Sequence, residues 1–168
     1  MFDPDGPVLG IDPGVSRCGY GVATRERGRD RALACGVIRT DPAQPLPERL
    51  HILADELSAL VEQYRPSAVA VERVLFQNNV RTAISVGQAS GLALVAAARA
   101  GVPVVQYSPN EIKLAVTGDG RADKAAVQMM VTRLLGLAEI PQPADAADAL
   151  ALACCHMWRA PLRAQVSS

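Results

Sequence analysis

The chain has 168 residues and no formal net charge, with 17 basic and 17 acidic side chains, and 49% of it is hydrophobic although only 4% is aromatic. That length suits one domain with a single sizeable core built from aliphatic side chains. The charge balance excludes a generally nucleic-acid-coating protein while allowing a local basic surface, and no uninterrupted run reaches the ~18 apolar residues of a membrane span.

Residues 1–7 are acidic, lack the basic-then-apolar layout of a signal peptide and read as a tail, so a cytoplasmic protein is expected. Val8-Leu9-Gly10-Ile11 is a short apolar run that reads as a buried strand, stopped by Asp12-Pro13-Gly14. Residues 19–24 and 34–40 are expected as two more strands. The charged stretch 25–31 between them reads as an exposed hairpin tip, which makes an antiparallel meander.

The period then becomes helical over residues 47–64. Leu50, Leu53, Leu57, Leu60, Val61 and Tyr64 share one stripe, and Pro47 suits a first turn. Residues 68–72 form another apolar strand, and a connection this long predicts a right-handed parallel crossover. Residues 79–100 read as a long helix rich in small side chains, and residues 103–107 as a fifth strand. Ser108-Pro109-Asn110-Glu111 is a capping box that opens a short helix carrying Lys113. Asp123 caps a helix to about residue 135 that contains Lys124. Residues 144–158 are apolar nearly all round and predict a buried helix. The expected architecture is α/β, a five-stranded mixed sheet flanked by helices over residues 8–158, with residues 159–168 as a C-terminal tail.

Cys18 and Cys35 fall on neighbouring predicted strands, and Cys154 and Cys155 are adjacent on the last helix. No CxxC spacing is present, and consecutive helical residues point ~100° apart, so they cannot close on one ion. Reduced, structural cysteines are expected.

Four acids stand where burial is expected: Asp12 and Glu72 at the ends of apolar strands, Asp145 and Asp148 one turn apart on the last helix. A desolvated carboxylate shifts its pKa, finds a counter-ion or holds a metal. Each has an ordinary explanation. Asp before Pro-Gly is a turn signal, Asp in a first helical turn is capping chemistry, and Glu72 has Arg73 and Arg81 as possible partners. Their joint placement on elements able to converge points instead to a site for a hard divalent cation. The stretch from Glu72 to Arg133 is mildly basic: Arg73, Arg81, Arg99, Lys113, Arg121, Lys124 and Arg133 against Glu72, Glu111, Asp119 and Asp123. Lys113 and Lys124 are candidates for holding phosphate or orienting water. Gly87 and Gly91 give a small-xxx-small spacing that permits close helix approach, within the core or across a dimer.

Leu9-Gly10-Ile11-Asp12-Pro13-Gly14, Gly19-Tyr20-Gly21, Val71-Glu72-Arg73-Val74 and the run from Ala144 to Ala151 together resemble the motifs of the RuvC family of bacterial Holliday-junction resolvases. The likeness runs from about Val8 to His156. It implies a ribonuclease-H-like nuclease domain, a homodimer, and symmetric Mg²⁺-dependent nicking of opposed strands of four-way DNA junctions, leaving 5′-phosphate and 3′-hydroxyl ends. By the resemblance Asp12, Glu72, Asp145 and Asp148 are catalytic metal ligands for two Mg²⁺ ions, with Mn²⁺ as a substitute. Lys113 and Lys124 match basic residues that support DNA binding and catalysis. Phe76 matches the junction-contacting aromatic, and Arg81 joins these three as a DNA-binding candidate. Cooperation with the RuvA and RuvB branch-migration proteins is also implied. The rival readings are another ribonuclease-H-like nuclease acting on RNA or hybrids, an actin-like or sugar-kinase-like ATPase fragment, and a catalytically dead junction-binding module.

Overall fold

The computed structural model describes residues 6–73 and 79–166. Its elements in chain order are β1 (Val8–Asp12), β2 (Arg17–Glu26), β3 (Arg29–Arg39), α1 (Leu46–Tyr64), β4 (Ala68–Glu72), α2 (Val80–Arg99), β5 (Val104–Tyr107), α3 (Pro109–Thr117), α4 (Lys124–Leu134) and α5 (Ala144–Val166). The five strands form one sheet in the order β3-β2-β1-β4-β5. β1 pairs antiparallel with β2 and parallel with β4, and β4 pairs parallel with β5. The expected meander and crossover are both present, joined at β1.

Strand alternation sorts the side chains into two cores. Leu9, Ile11, Val69 and Val71 pack with Leu53, Leu57, Ala89 and Ala93 beneath α1 and α2. Val8, Ala70 and Tyr107 pack on the other face with α3, α4 and buried residues of α5, among them Leu150, Leu152 and Cys154. With a period of two, Gly10 and Asp12 on β1, and Glu72 on β4, lie on the α5 face. The same rule puts Arg17, Gly19 and Gly21 of β2 on that face, because Cys18 and Val22 belong to the opposite core.

Two element boundaries differ from expectation. The hairpin tip is not residues 25–31: β2 and β3 stay paired to Glu26 and Arg29, leaving only Arg27 and Gly28, at φ 51° and 76°, to turn the chain. Two positive φ values match the twist that a two-residue hairpin requires. Charged side chains hide this strand pattern in the sequence, yet they stabilise it across the ladder. Arg25 donates to Asp30 at 2.7 Å and Arg31 to Glu26 at 2.9 Å. At the other end, the helix expected to stop near Trp158 continues to Val166, so most of the expected tail is helical. Pro161 removes a hydrogen bond, but Ala160, Leu162, Arg163, Ala164 and Gln165 around it are good helix formers.

The other boundaries agree closely. Asn79 caps α2, its side chain accepting from the Arg81 and Thr82 N–H groups, and Ser108 with Glu111 closes the expected capping box on α3. All four cysteines are free thiols. Burial pushes the Cys18 thiol up to about 12 and raises Cys154 as well, as inert packing residues require. Among the described residues one helix, α2, is long and apolar enough to cross a membrane by length and composition, which an uninterrupted-run criterion overlooks. Its Ala89, Ala93, Ala96 and Ala97 are buried against the sheet and α1.

Candidate active site

Parallel pairing of β1 with β4 registers Ile11 opposite Val71, so the next residues, Asp12 and Glu72, end adjacent strands on one face. α5 brings the remaining acids over that face, and glycine is what lets it approach. A Cβ added at Gly19 would clash with the Asp145 carbonyl oxygen, one at Gly10 with the Ala149 carbonyl, and one at Gly21 would meet the Leu150 nitrogen at 2.6 Å. The three glycines form a bare strip on which the first turns of α5 lie.

α3 and α4 contribute the cations. Asp123 caps α4 by accepting from the Ala126 N–H at 2.8 Å, which makes Lys124 the first helical residue and aims it over the acids. Asp12, Glu72, Asp148, Lys113 and Lys124 line one cavity of about 280 Å³, with Ile112, Val127 and Leu152 among its apolar lining. That volume is at the small end for organic-ligand pockets. It suits ions and a phosphate group.

The electrostatics are those of crowded carboxylates. Asp12 is pushed up to about 7, first by burial and then by the charges of Glu72, Asp148 and Asp145, with Lys124 offsetting part of the rise. Glu72 is raised by burial and by Asp148. Lys124 lies above its ordinary value because its ammonium donates to Asp148, 2.5 Å from Oδ2. Gln128 donates to the other oxygen of Asp148 at 3.4 Å. Among the described residues neither Arg73 nor Arg81 pairs with Glu72, so the simple ion-pair explanation of that residue is removed.

Asp145 is held differently. It stands near enough to raise Asp12, but its Oδ2 accepts from Arg17, 3.0 Å from Nε and 2.5 Å from Nη2. Among the described residues no three acidic, histidine or cysteine side chains are drawn together closely enough to clasp an ion. The acids converge electrostatically while two of them are engaged by cations. The donor set itself fits a hard divalent metal: all four groups are oxygen donors, and the mutual repulsion that raises Asp12 and Glu72 is relieved by a divalent charge.

Of the other expected site residues, Arg81 sits exposed in the first turn of α2 and does not line the cavity. Phe76 lies outside the described residues. Arg17 was missed from the sequence. The signal was available, since the alternation that places Gly19 and Gly21 on the α5 face places Arg17 there too.

A family model described as Crossover junction endodeoxyribonuclease RuvC matches residues 8–156. The crossover junction endodeoxyribonuclease RuvC of Salinispora arenicola is 57% identical over 162 residues, covering 96% of this chain and 93% of that protein. The solved structure of Thermus thermophilus RuvC superposes with a TM-score of 0.87 at 41% identity, covering 94% of this chain and 96% of that one. The Thermus thermophilus RuvC structure in complex with a Holliday junction substrate gives a TM-score of 0.89 at 40% identity, with the same coverage. The fold is therefore ribonuclease-H-like, and the ATPase-fragment reading is displaced. With nearly its whole length matched, this chain belongs to the RuvC family of crossover junction endodeoxyribonucleases.

Proposed function

We propose that Asp12, Glu72, Asp145 and Asp148 are the catalytic, metal-holding carboxylates with which this Holliday-junction endonuclease cuts DNA, using two Mg²⁺ ions per site or Mn²⁺ in their place. The observation that carries the reading is the single small cavity lined by Asp12, Glu72, Asp148, Lys113 and Lys124. Bound Mg²⁺ supplies activation of the attacking water and stabilisation of the leaving 3′-oxygen, so the products carry 5′-phosphate and 3′-hydroxyl ends. The chain's own residues do the rest. Lys124, already on Asp148, and Lys113, which lines the same cavity, offer ammonium groups to the non-bridging oxygens of a phosphate. The apolar wall of Ile112, Val127 and Leu152 lowers the local polarity and strengthens these interactions. Phe76 and Arg81 are proposed DNA contacts, and residues 8–158 the nuclease domain.

Symmetric nicking of opposed strands calls for two such sites. α2 offers the surface for a homodimer: Val80, Ile84 and Val95 are exposed, and Cβ atoms added at Gly87 or Gly91 meet nothing within 4 Å. Spacings of four, three, four and four residues align these five positions on one helical face. Cytoplasmic localisation and cooperation with RuvA and RuvB complete the proposal. The deciding assay is cleavage of a synthetic four-way junction with Mg²⁺ and with EDTA, mapped on both opposed strands. Symmetric, EDTA-sensitive nicks are expected. Preferential cleavage of an RNA–DNA hybrid, or cleavage undiminished in EDTA, overturns the assignment.

A further inference from the structure

Arg17 opens β2 on the sheet face that α5 covers, and it reaches an acid 128 positions away. Both prongs of its guanidinium converge on one oxygen, Oδ2 of Asp145, at 3.0 and 2.5 Å. Among the described residues Oδ1 accepts no hydrogen bond, and Asp145 does not line the cavity formed by Asp12, Glu72 and Asp148. The Arg17 side chain is 46% exposed, so an incoming polynucleotide can reach it without any rearrangement of the core. A guanidinium that leaves a carboxylate for a backbone phosphate exchanges one anionic oxygen acceptor for another and keeps charge-assisted N–H···O hydrogen bonds.

We propose that Arg17 is a positioning residue that couples DNA binding to completion of the carboxylate site. It holds Asp145 aside in the free protein, then passes to a backbone phosphate when DNA arrives, leaving Asp145 to join Asp12, Glu72 and Asp148. This rests on reading those four acids as metal ligands. Lys124 stands on Asp148 in a similar way, but it already lines the cavity, whereas Arg17 does not. Arg17 therefore governs when the site assembles, and acts on the reaction only through Asp145.

The test is Mn²⁺ titration of the full chain, with free Mn²⁺ read by electron paramagnetic resonance at fixed ionic strength. It is done with and without a four-way junction made slow to react by phosphorothioate linkages, its strands checked for integrity on gels. Wild type is expected to bind Mn²⁺ several-fold more tightly when the junction is present. Arg17→Gln frees Asp145 to join the other acids, so without DNA it binds Mn²⁺ roughly fivefold more tightly than wild type, and adding the junction gains it little. In an Asp145→Asn background the Arg17→Gln change has no further effect on affinity. Unchanged or weaker Mn²⁺ binding by Arg17→Gln without DNA, or a full junction-dependent gain in that variant, overturns the proposal. Asp12→Asn separates the two levels. If it leaves Mn²⁺ affinity intact, the carboxylate-site reading falls and this proposal with it. If it abolishes binding while Arg17→Gln changes nothing, only the role of Arg17 fails.

Discussion

Asp12→Asn should make the metal-free protein more stable while removing its cleavage activity. An aspartate whose pKa is ordinarily 3.8 stands at about 7 in the fold, because burial and the charges of Glu72, Asp148 and Asp145 oppose its ionisation. The folded chain therefore binds this proton more tightly than the unfolded chain does. The contribution of Asp12 to stability is greatest below about pH 4, where both states are protonated, and falls as pH rises from about 4 to about 7. Above that range the whole penalty is present. The rise in pKa corresponds to about 4 kcal/mol. Glu72 is raised too and acts in the same direction. An uncharged asparagine of the same shape escapes most of this penalty. In EDTA at pH 8 the variant is expected to melt roughly 5–15 °C above wild type, at about 2–4 °C per kcal/mol for a domain of this size. At pH 4 the two should melt together. Differential scanning calorimetry at both pH values measures the difference, and a four-way-junction assay on the same samples should show binding retained and nicking lost. A Tm difference between the two proteins that does not grow from pH 4 to pH 8 in EDTA, or an Asp12→Asn protein no more stable at pH 8, refutes the reasoning. Full nicking by the variant refutes the assignment of Asp12.

The glycine strip and the surface charges can be tested in parallel. Gly19→Ala places a methyl 2.7 Å from the Asp145 carbonyl carbon and 3.1 Å from its Cβ, so the start of α5 must retreat. A displacement of about 1 Å predicts roughly 100-fold slower junction cleavage, with about 1–3 kcal/mol of destabilisation by denaturant titration. Gly28→Ala is the control: at φ 76° with open space around it, it should lose about 1 kcal/mol from backbone strain yet cleave normally. Equal activity in the two variants would detach the glycine strip from the site. Lys124→Gln breaks a largely exposed ion pair, so its Tm should move by no more than a few degrees. Its single-turnover cleavage rate should fall roughly tenfold or more, and a wild-type rate would remove Lys124 from the reaction. Gly91→Leu adds bulk to the exposed face of α2, and sedimentation velocity should show a shift from dimer to monomer. An unchanged dimer argues against that face as the interface.

Much of the fold is written in local patterns. β4 runs over Ala68–Glu72 where its apolar run predicts, α1 buries Leu53, Leu57, Leu60 and Val61 of its predicted stripe, and the α3 capping box forms at Ser108 and Glu111. These succeed because periodicity and capping depend on neighbours within a turn or a strand. The distal hairpin failed because cross-strand pairs such as Arg25 with Asp30 support charged strands in which no apolar alternation shows. The extended α5 failed because a proline inside good helix formers reads as a stop.

The site divides in the same way. The candidate acids Asp12, Glu72, Asp145 and Asp148, and the glycines that flank them, were readable as strand ends, helix faces and family-like motifs. Tertiary structure alone decided how they stand to one another. Parallel register sets Asp12 beside Glu72, and three glycines without Cβ atoms let α5 settle onto the sheet. Arg17 then claims Asp145 from across the fold, and Lys124 claims Asp148. A one-dimensional pattern specifies which groups are costly to bury. Which cation stabilises each one depends on distances between residues far apart in the chain, and those exist only once the two cores have packed against the sheet.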